Sequence, residues 1–350
     1  MNKIYLLALA LSPALAAAEI PAGYYDSCKG LSGQALIEAL SDVIFEHTSV
    51  GYNGLWEAYA ITDTRPEDGS IWDMYCSKHW TYQDDQCGNY SMVGDCYNRE
   101  HSMPKSWFGG LEPMYSDLFH IYPTDGYVNN WRANYPYGEC NNDKAIKDSK
   151  IPEGVEAYGK LGTSTFDGYD GIVYEPIDEY KGDLARGFLY MAACYNHLIE
   201  DWESDMLAGN SYPAFTDWSV ALLLKWHRED PVSQKELDRN EAVYSVQSNR
   251  NPFIDYPELA EHVWGDKVDE AWSGSASIAS ITTSVPTWGA VSCGQRLMIV
   301  SQNDAQVNVY GFDGMLRYQG AVESGQNYLP LGPGQYIVNI NGESRKVIVR

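Results

Sequence analysis

The chain has 350 residues, 44% apolar and 13% aromatic, a globular composition that excludes disorder and is long enough for two domains. Its net charge of −24 speaks against a nucleic-acid binder that relies on a broad basic face. A polyanionic partner would need a bound cation to offset the repulsion locally.

The opening MNKIYLLALALSPALAAAEI combines Lys3, an apolar run from Ile4 to Leu11 and small residues from Ala14 to Ala18. The run is too short to span a bilayer and Pro13 interrupts it, so residues 1–18 are expected to be a cleaved export signal. Seven cysteines in an exported chain permit disulfides. Cys76, Cys87, Cys96 and Cys140 crowd one loop-rich stretch that such bonds would staple, and no paired Cys-x-x-Cys units support zinc instead. Cys194, inside the helical run LYMAACYNHL, is expected to be a buried free thiol.

Ser32 can cap a helix reaching about His47, because Leu36, Ile37, Leu40, Val43 and Ile44 share one face. Two aromatic-rich strands are expected near Leu55–Thr62 and Ile71–Ser77, joined by the turn TDTRPEDGS. Residues 78–94 and 141–170 read as loops. Helices are expected over about 183–202, over 217–226, from Pro231 to about Ser248, and near 257–264. Residues 19–272 thus form one mixed α+β domain, and the small hydroxylic stretch 273–285 reads as a linker. Beyond it the apolar period becomes two. Strands fit at 296–301, 306–310, 316–319, 335–340 and 345–349, a small all-β sandwich over 286–350 without clustered titratable groups.

The chemistry concentrates in DCYNREHSMPKSWFGG (95–110) and SDLFHIYPTDGYVNNWRANYPYGE (116–139). Hydrolysis of a phosphodiester requires an activated water, neutralised non-bridging oxygens and a stabilised leaving oxygen. His101 suits the first task as a neutral imidazole, and a hard divalent ion on oxygen ligands suits the others. Glu100 is a ligand candidate beside it, provided the chain bends at His101–Ser102 so that neighbours on opposite strand faces reach one phosphate. Asn129, near the start of a short helix after the turn TDG, can offer an amide oxygen, and Arg132 can fork onto a phosphate. His120, among strand-like apolar residues, reads as a packed core histidine.

These segments resemble the endonuclease I family, which carries the ββα-metal or His-Me finger site. NREHSMPKSWF, SDLFHIYPTDGYVNNWRANYPYG, EPIDEYKGDLARGFLYMAACY and QSNRNPFIDYPELAEHVW carry the likeness across most of residues 50–265. The resemblance implies a non-specific endonuclease on DNA and often RNA that leaves 5′-phosphate ends and usually uses magnesium, with manganese or calcium as alternatives. It makes Glu100 and Asn129 metal ligands and His101 the general base. Some relatives carry a phosphate-contacting arginine between the Glu-His pair and the second strand, where this chain has only Lys105. Arg132 and Arg186 are the other candidates for that contact, Arg186 also being a natural structural helix residue. VNVYGFDGMLRYQG through YLPLGPGQYIVNINGESRKVIV resembles the C-terminal sorting domains read by the type IX secretion system, which implies contact with secretion machinery. A monomeric, secreted or surface-located enzyme is therefore expected. The alternatives are a metal phosphodiesterase with another substrate, or a non-catalytic surface adhesin.

Overall fold

The computed structural model describes residues 20–274 and 288–349, apart from 67, 87, 294, 295, 302 and 313. The expected export signal and most of the expected linker lie outside the described residues. The chain divides into two compact units, Met1–Ala276 and Ser277–Arg350. Among the described residues no helix is long and apolar enough to cross a membrane.

In the first unit, helix α1 (Gly33–Ile44) buries Leu36, Ile37, Leu40 and Ile44 along one stripe. The next element departs from expectation: residues 51–62 form helix α2 (Gly51–Thr62), not a strand. Leu55, Ala58, Tyr59 and Thr62 are its buried residues, at helical spacing, and that packing overrides the β preference of its aromatic side chains. Ile71–Ser77 makes only isolated bridges. There the Asp73 carboxylate accepts from the backbone of Tyr75 and Cys76 and from the Trp80 indole, which curls the segment into a loop.

Strands β1 (Tyr97–His101) and β2 (Ile121–Asp125) pair antiparallel, with Glu100 opposite Tyr122 and His101 opposite Ile121. Helix α3 (Gly126–Arg132) starts directly from β2. Asp125 caps it by accepting from Val128 N at 2.9 Å, and also binds Gly94 N at 2.6 Å. Strand β3 (Lys160–Thr163), inside the stretch 141–170 read as a loop, pairs with β4 (Ile172–Glu175) just beyond it. Helix α4 (Lys181–Cys194) buries every residue from Gly182 to Cys194 and forms the centre of the core. Around it lie α5 (Asp217–Glu229), α6 (Gln234–Gln247), α7 (Pro252–Asp255) and α8 (Leu259–Val263). Helix α6 begins at a Ser233–Glu236 capping box, not at Pro231, because the reciprocal side-chain bonds fix the first turn there. Cys76 and Cys140, expected to staple their stretch, are buried free thiols, as are Cys28 and Cys194. Cys96 is disulfide-bonded, and Cys87 lies outside the described residues.

The second unit contains β5 (Trp288–Cys293), β6 (Arg296–Ser301), β7 (Ala305–Gly311), β8 (Leu316–Val322), β9 (Gly325–Leu329), β10 (Gly334–Ile340) and β11 (Glu343–Val349). They form a sheet of order β11-β10-β7-β8 and another of order β5-β6-β9. Val307, Val309, Val338 and Ile340 are among its buried core residues. Asn341 and Gly342, both at positive φ, make the tight β10–β11 turn. Strands β5 and β9 were not among those expected from the sequence.

Candidate active site

The β1–β2 hairpin and α3 build one pocket. Glu100, His101, Asn129 and Lys105 all line it, together with Tyr52 and Arg99. Strand β1 ends at His101, and the chain bends at Ser102. Arg132 holds this bend: its guanidinium donates to the carbonyls of His101 (3.2 Å) and Ser102 (2.8 Å), while Ser102 N donates to His120 O. The bend lets two consecutive side chains reach one pocket although a strand sends them to opposite faces.

Glu100 is buried, and its Oε1 accepts from Arg132 (2.8 Å) and from the Tyr75 hydroxyl (2.9 Å). Tyr75 is bonded in turn to the Tyr137 hydroxyl at 2.6 Å. Oε2 receives no hydrogen bond from the described residues. Burial pushes the Glu100 carboxyl up to about 7, against the opposing pull of Arg132 and Tyr75.

His101 is also buried, stacked on Tyr115 (ring centres 5.1 Å) and on Tyr52 (5.6 Å). Its Nε2 lies 3.1 Å from the Tyr115 carbonyl oxygen. A carbonyl only accepts, so Nε2 carries the hydrogen and Nδ1 keeps its lone pair. Burial pushes the imidazole down to about 3, reinforced by His120 and, more weakly, by Lys105 and Arg99, so the ring is neutral near pH 7. The Asn129 side-chain amide makes no hydrogen bond among the described residues. A carboxylate oxygen, an amide oxygen and an imidazole lone pair are thus left uncommitted by three residues of one pocket wall.

Two expected substrate contacts are placed elsewhere. Arg132 is only 1% exposed and sits behind Glu100, so its guanidinium positions the carboxylate and the bend and does not face the pocket. Arg186 is fully buried, paired with Glu236 and donating to Asp230 O. It is a structural residue because burying its charge requires that partner. Lys105 remains exposed at the pocket, with Nζ 5.6 Å from the Tyr115 ring centre. His120 is buried, with Nε2 2.7 Å from Met114 O, as a core histidine. The tyrosines at 52, 75, 115 and 137 escaped sequence reasoning, since nothing marks them among 27 tyrosines. Arg99 escaped too, although its position two before His101 places both on one strand face.

A second cluster, His47, Asp117 and Cys194, brings its donor atoms within 4.8 Å of one another. Asp117 already accepts from Tyr190, Tyr195, Gln247 and the Phe119 backbone, and burial keeps the Cys194 thiol far from ionising. That arrangement is a satisfied core network, not a site for a hard cation.

Residues 32–258 match the family model described as Endonuclease I, and the whole pocket falls within that span. Over 247 residues the chain is 35% identical to the extracellular ribonucleases of Bacillus amyloliquefaciens and Bacillus subtilis, covering 69% of this chain and 78% of each relative. It is 28% identical over 142 residues to a periplasmic deoxyribonuclease of Aeromonas hydrophila, covering 41% of this chain and 48% of that relative.

Proposed function

The chain belongs to the endonuclease I family and is a nuclease, and we propose that it is an exported, divalent-metal-dependent enzyme that cuts RNA and DNA without base preference. The observation that carries this reading is the convergence of Glu100, His101 and Asn129 on one pocket with His101 Nε2 tied to the Tyr115 carbonyl.

Glu100 Oε2 and the Asn129 amide oxygen would hold the cation, a hard-ligand set that suits magnesium, with manganese or calcium as substitutes. The ion would supply charge neutralisation for the phosphate and for the departing oxygen. His101 Nδ1 accepts the proton of the attacking water, and the Tyr52 and Tyr115 rings keep the imidazole in plane. Arg132 and Tyr75 hold Glu100 from behind. Attack that expels the 3′ oxygen leaves a 5′-phosphate end. Docking through phosphates carries no base information, so cutting is non-specific.

Relatives named extracellular and periplasmic support export. The C-terminal sandwich is read as a sorting module for the secretion machinery, and its deletion should change where the protein accumulates but not its specific activity. Plasmid DNA and total RNA digested with Mg²⁺, with and without EDTA, test the main reading. Chelation should abolish cutting, and His101→Ala should lower kcat at least a hundredfold while the fold is kept. A His101→Ala protein that nicks plasmid at the parental rate removes the base assignment.

A further inference from the structure

Arg99 contrasts with four buried arginines of the first unit that are held by carboxylates. Arg132, Arg186, Arg239 and Arg250 each pair with a carboxylate, as does the more exposed Arg228, in a chain whose net charge is −24. Arg99 has no carboxylate within ion-pair distance among the described residues, although it lines the pocket. Its guanidinium lies 3.7 Å from the Tyr52 ring centre and 4.5 Å from that of Trp56, and Nη1 donates to the Tyr52 carbonyl at 2.6 Å. Nε is buried without an acceptor. Aromatic faces therefore hold the group in place without neutralising it. Lys105 is a second cation on the same wall, and it too has no carboxylate partner among the described residues. An acidic protein that leaves two cations unpaired beside His101 has built a subsite for an anion.

We propose that Arg99, seconded by Lys105, is the phosphate-contacting residue of this site, gripping a backbone phosphodiester of the polynucleotide that His101 faces. The proposal rests on the nuclease reading above and assigns to β1 itself the contact that sequence reasoning sought on α3 and α4. A stacked, planar guanidinium offers a phosphate two parallel donors, which a lysine cannot.

The test uses the full chain with saturating Mg²⁺ on a single-stranded oligonucleotide, between 0.1 and 0.4 M KCl. Arg99→Met, which keeps the stacking volume, should raise KM about tenfold or more, with a smaller change in kcat. It should also flatten the slope of log(1/KM) against log salt by about 0.7, the loss of one single-strand phosphate contact. Arg99→Lys should restore the slope but leave KM several-fold raised, and it carries the test if the methionine variant does not fold. Lys105→Met should flatten the slope as well. A drop in kcat at unchanged KM and slope for Arg99→Met overturns the proposal, because Arg99 would then act only by packing Tyr52 against His101; an unchanged KM for Arg99→Lys overturns the two-donor grip, because a point charge would then serve as well. A parental enzyme that cuts no nucleic acid overturns the underlying nuclease reading instead.

Discussion

At the scale of single residues, two buried arginines that look alike in sequence separate by what their guanidinium groups hold. Arg132 neutralises Glu100 and clamps the bend after β1, whereas Arg186 pairs with Glu236 away from the pocket. Replacing either by methionine strands a buried carboxylate and should cost about 3–5 kcal/mol in urea unfolding. Only Arg132→Met should also lower kcat/KM of the folded fraction, by a hundredfold or more. Equal losses of activity in the two variants would show that the assignment of roles is wrong. His227 gives a pH signature. Its Nε2 donates to Pro257 O (2.9 Å) and its Nδ1 faces Arg186 Nη1 (3.4 Å), a network that requires the neutral ring. Burial, then the Arg186 charge, pushes the imidazole down to about 4, whereas an unfolded histidine titrates near 6.5. Between those values the unfolded chain binds a proton that the folded chain refuses, so stability falls as pH drops from about 6.5 to 4. His227→Gln should flatten this part of the profile, worth up to roughly 3 kcal/mol. Urea midpoints at pH 7, 6, 5 and 4.5 that stay parallel for the two proteins would refute it.

At the scale of elements, α3 matters because it brings Asn129 to the hairpin, and its start is fixed by one side chain. Asp125 satisfies both Val128 N and Gly94 N, so Asp125→Ala removes a helix cap and orphans a second donor. The variant should lose about 2 kcal/mol or more. It should also require several-fold more Mg²⁺ for half-maximal rate, because Asn129 loses its fixed position, while Asp125→Asn should show a milder form of both effects. A normal Mg²⁺ requirement in a destabilised Asp125→Ala protein would separate α3 from the cation. This part of the fold was legible in the sequence: a polar turn before a short helix, and a Glu-His pair followed by a proline, are local signals. Helix α2 was not, because its aromatic side chains carry β preference and only tertiary packing selects the helix. The β3–β4 hairpin escaped for a different reason: its strands are four residues each, too short for an alternating pattern to show. Arg132, expected to fork onto a phosphate, holds Glu100 instead, since one-residue rotations on a seven-residue helix cannot be read from spacing.

At the scale of the whole molecule, the acidic charge and the polyanionic substrate repel, while Arg99 and Lys105 attract locally. The two effects differ in range. Repulsion from a net charge of −24 acts over the Debye length, about 30 Å at 0.01 M salt and about 10 Å at 0.1 M. Contact between a phosphate and the pocket cations persists at higher salt and weakens by counterion release. The rate should therefore pass through a maximum. With Mg²⁺ held at a low saturating level, kcat/KM on plasmid DNA should rise several-fold as KCl increases from about 0.01 to 0.1 M, then fall. A nuclease with a basic face declines from the lowest salt onward. A small monoanion such as bis-p-nitrophenyl phosphate experiences little long-range force, so its hydrolysis should lack the rising limb. A rate on plasmid that decreases monotonically from 0.01 M would mean that the acidic surface faces away from the path of the substrate.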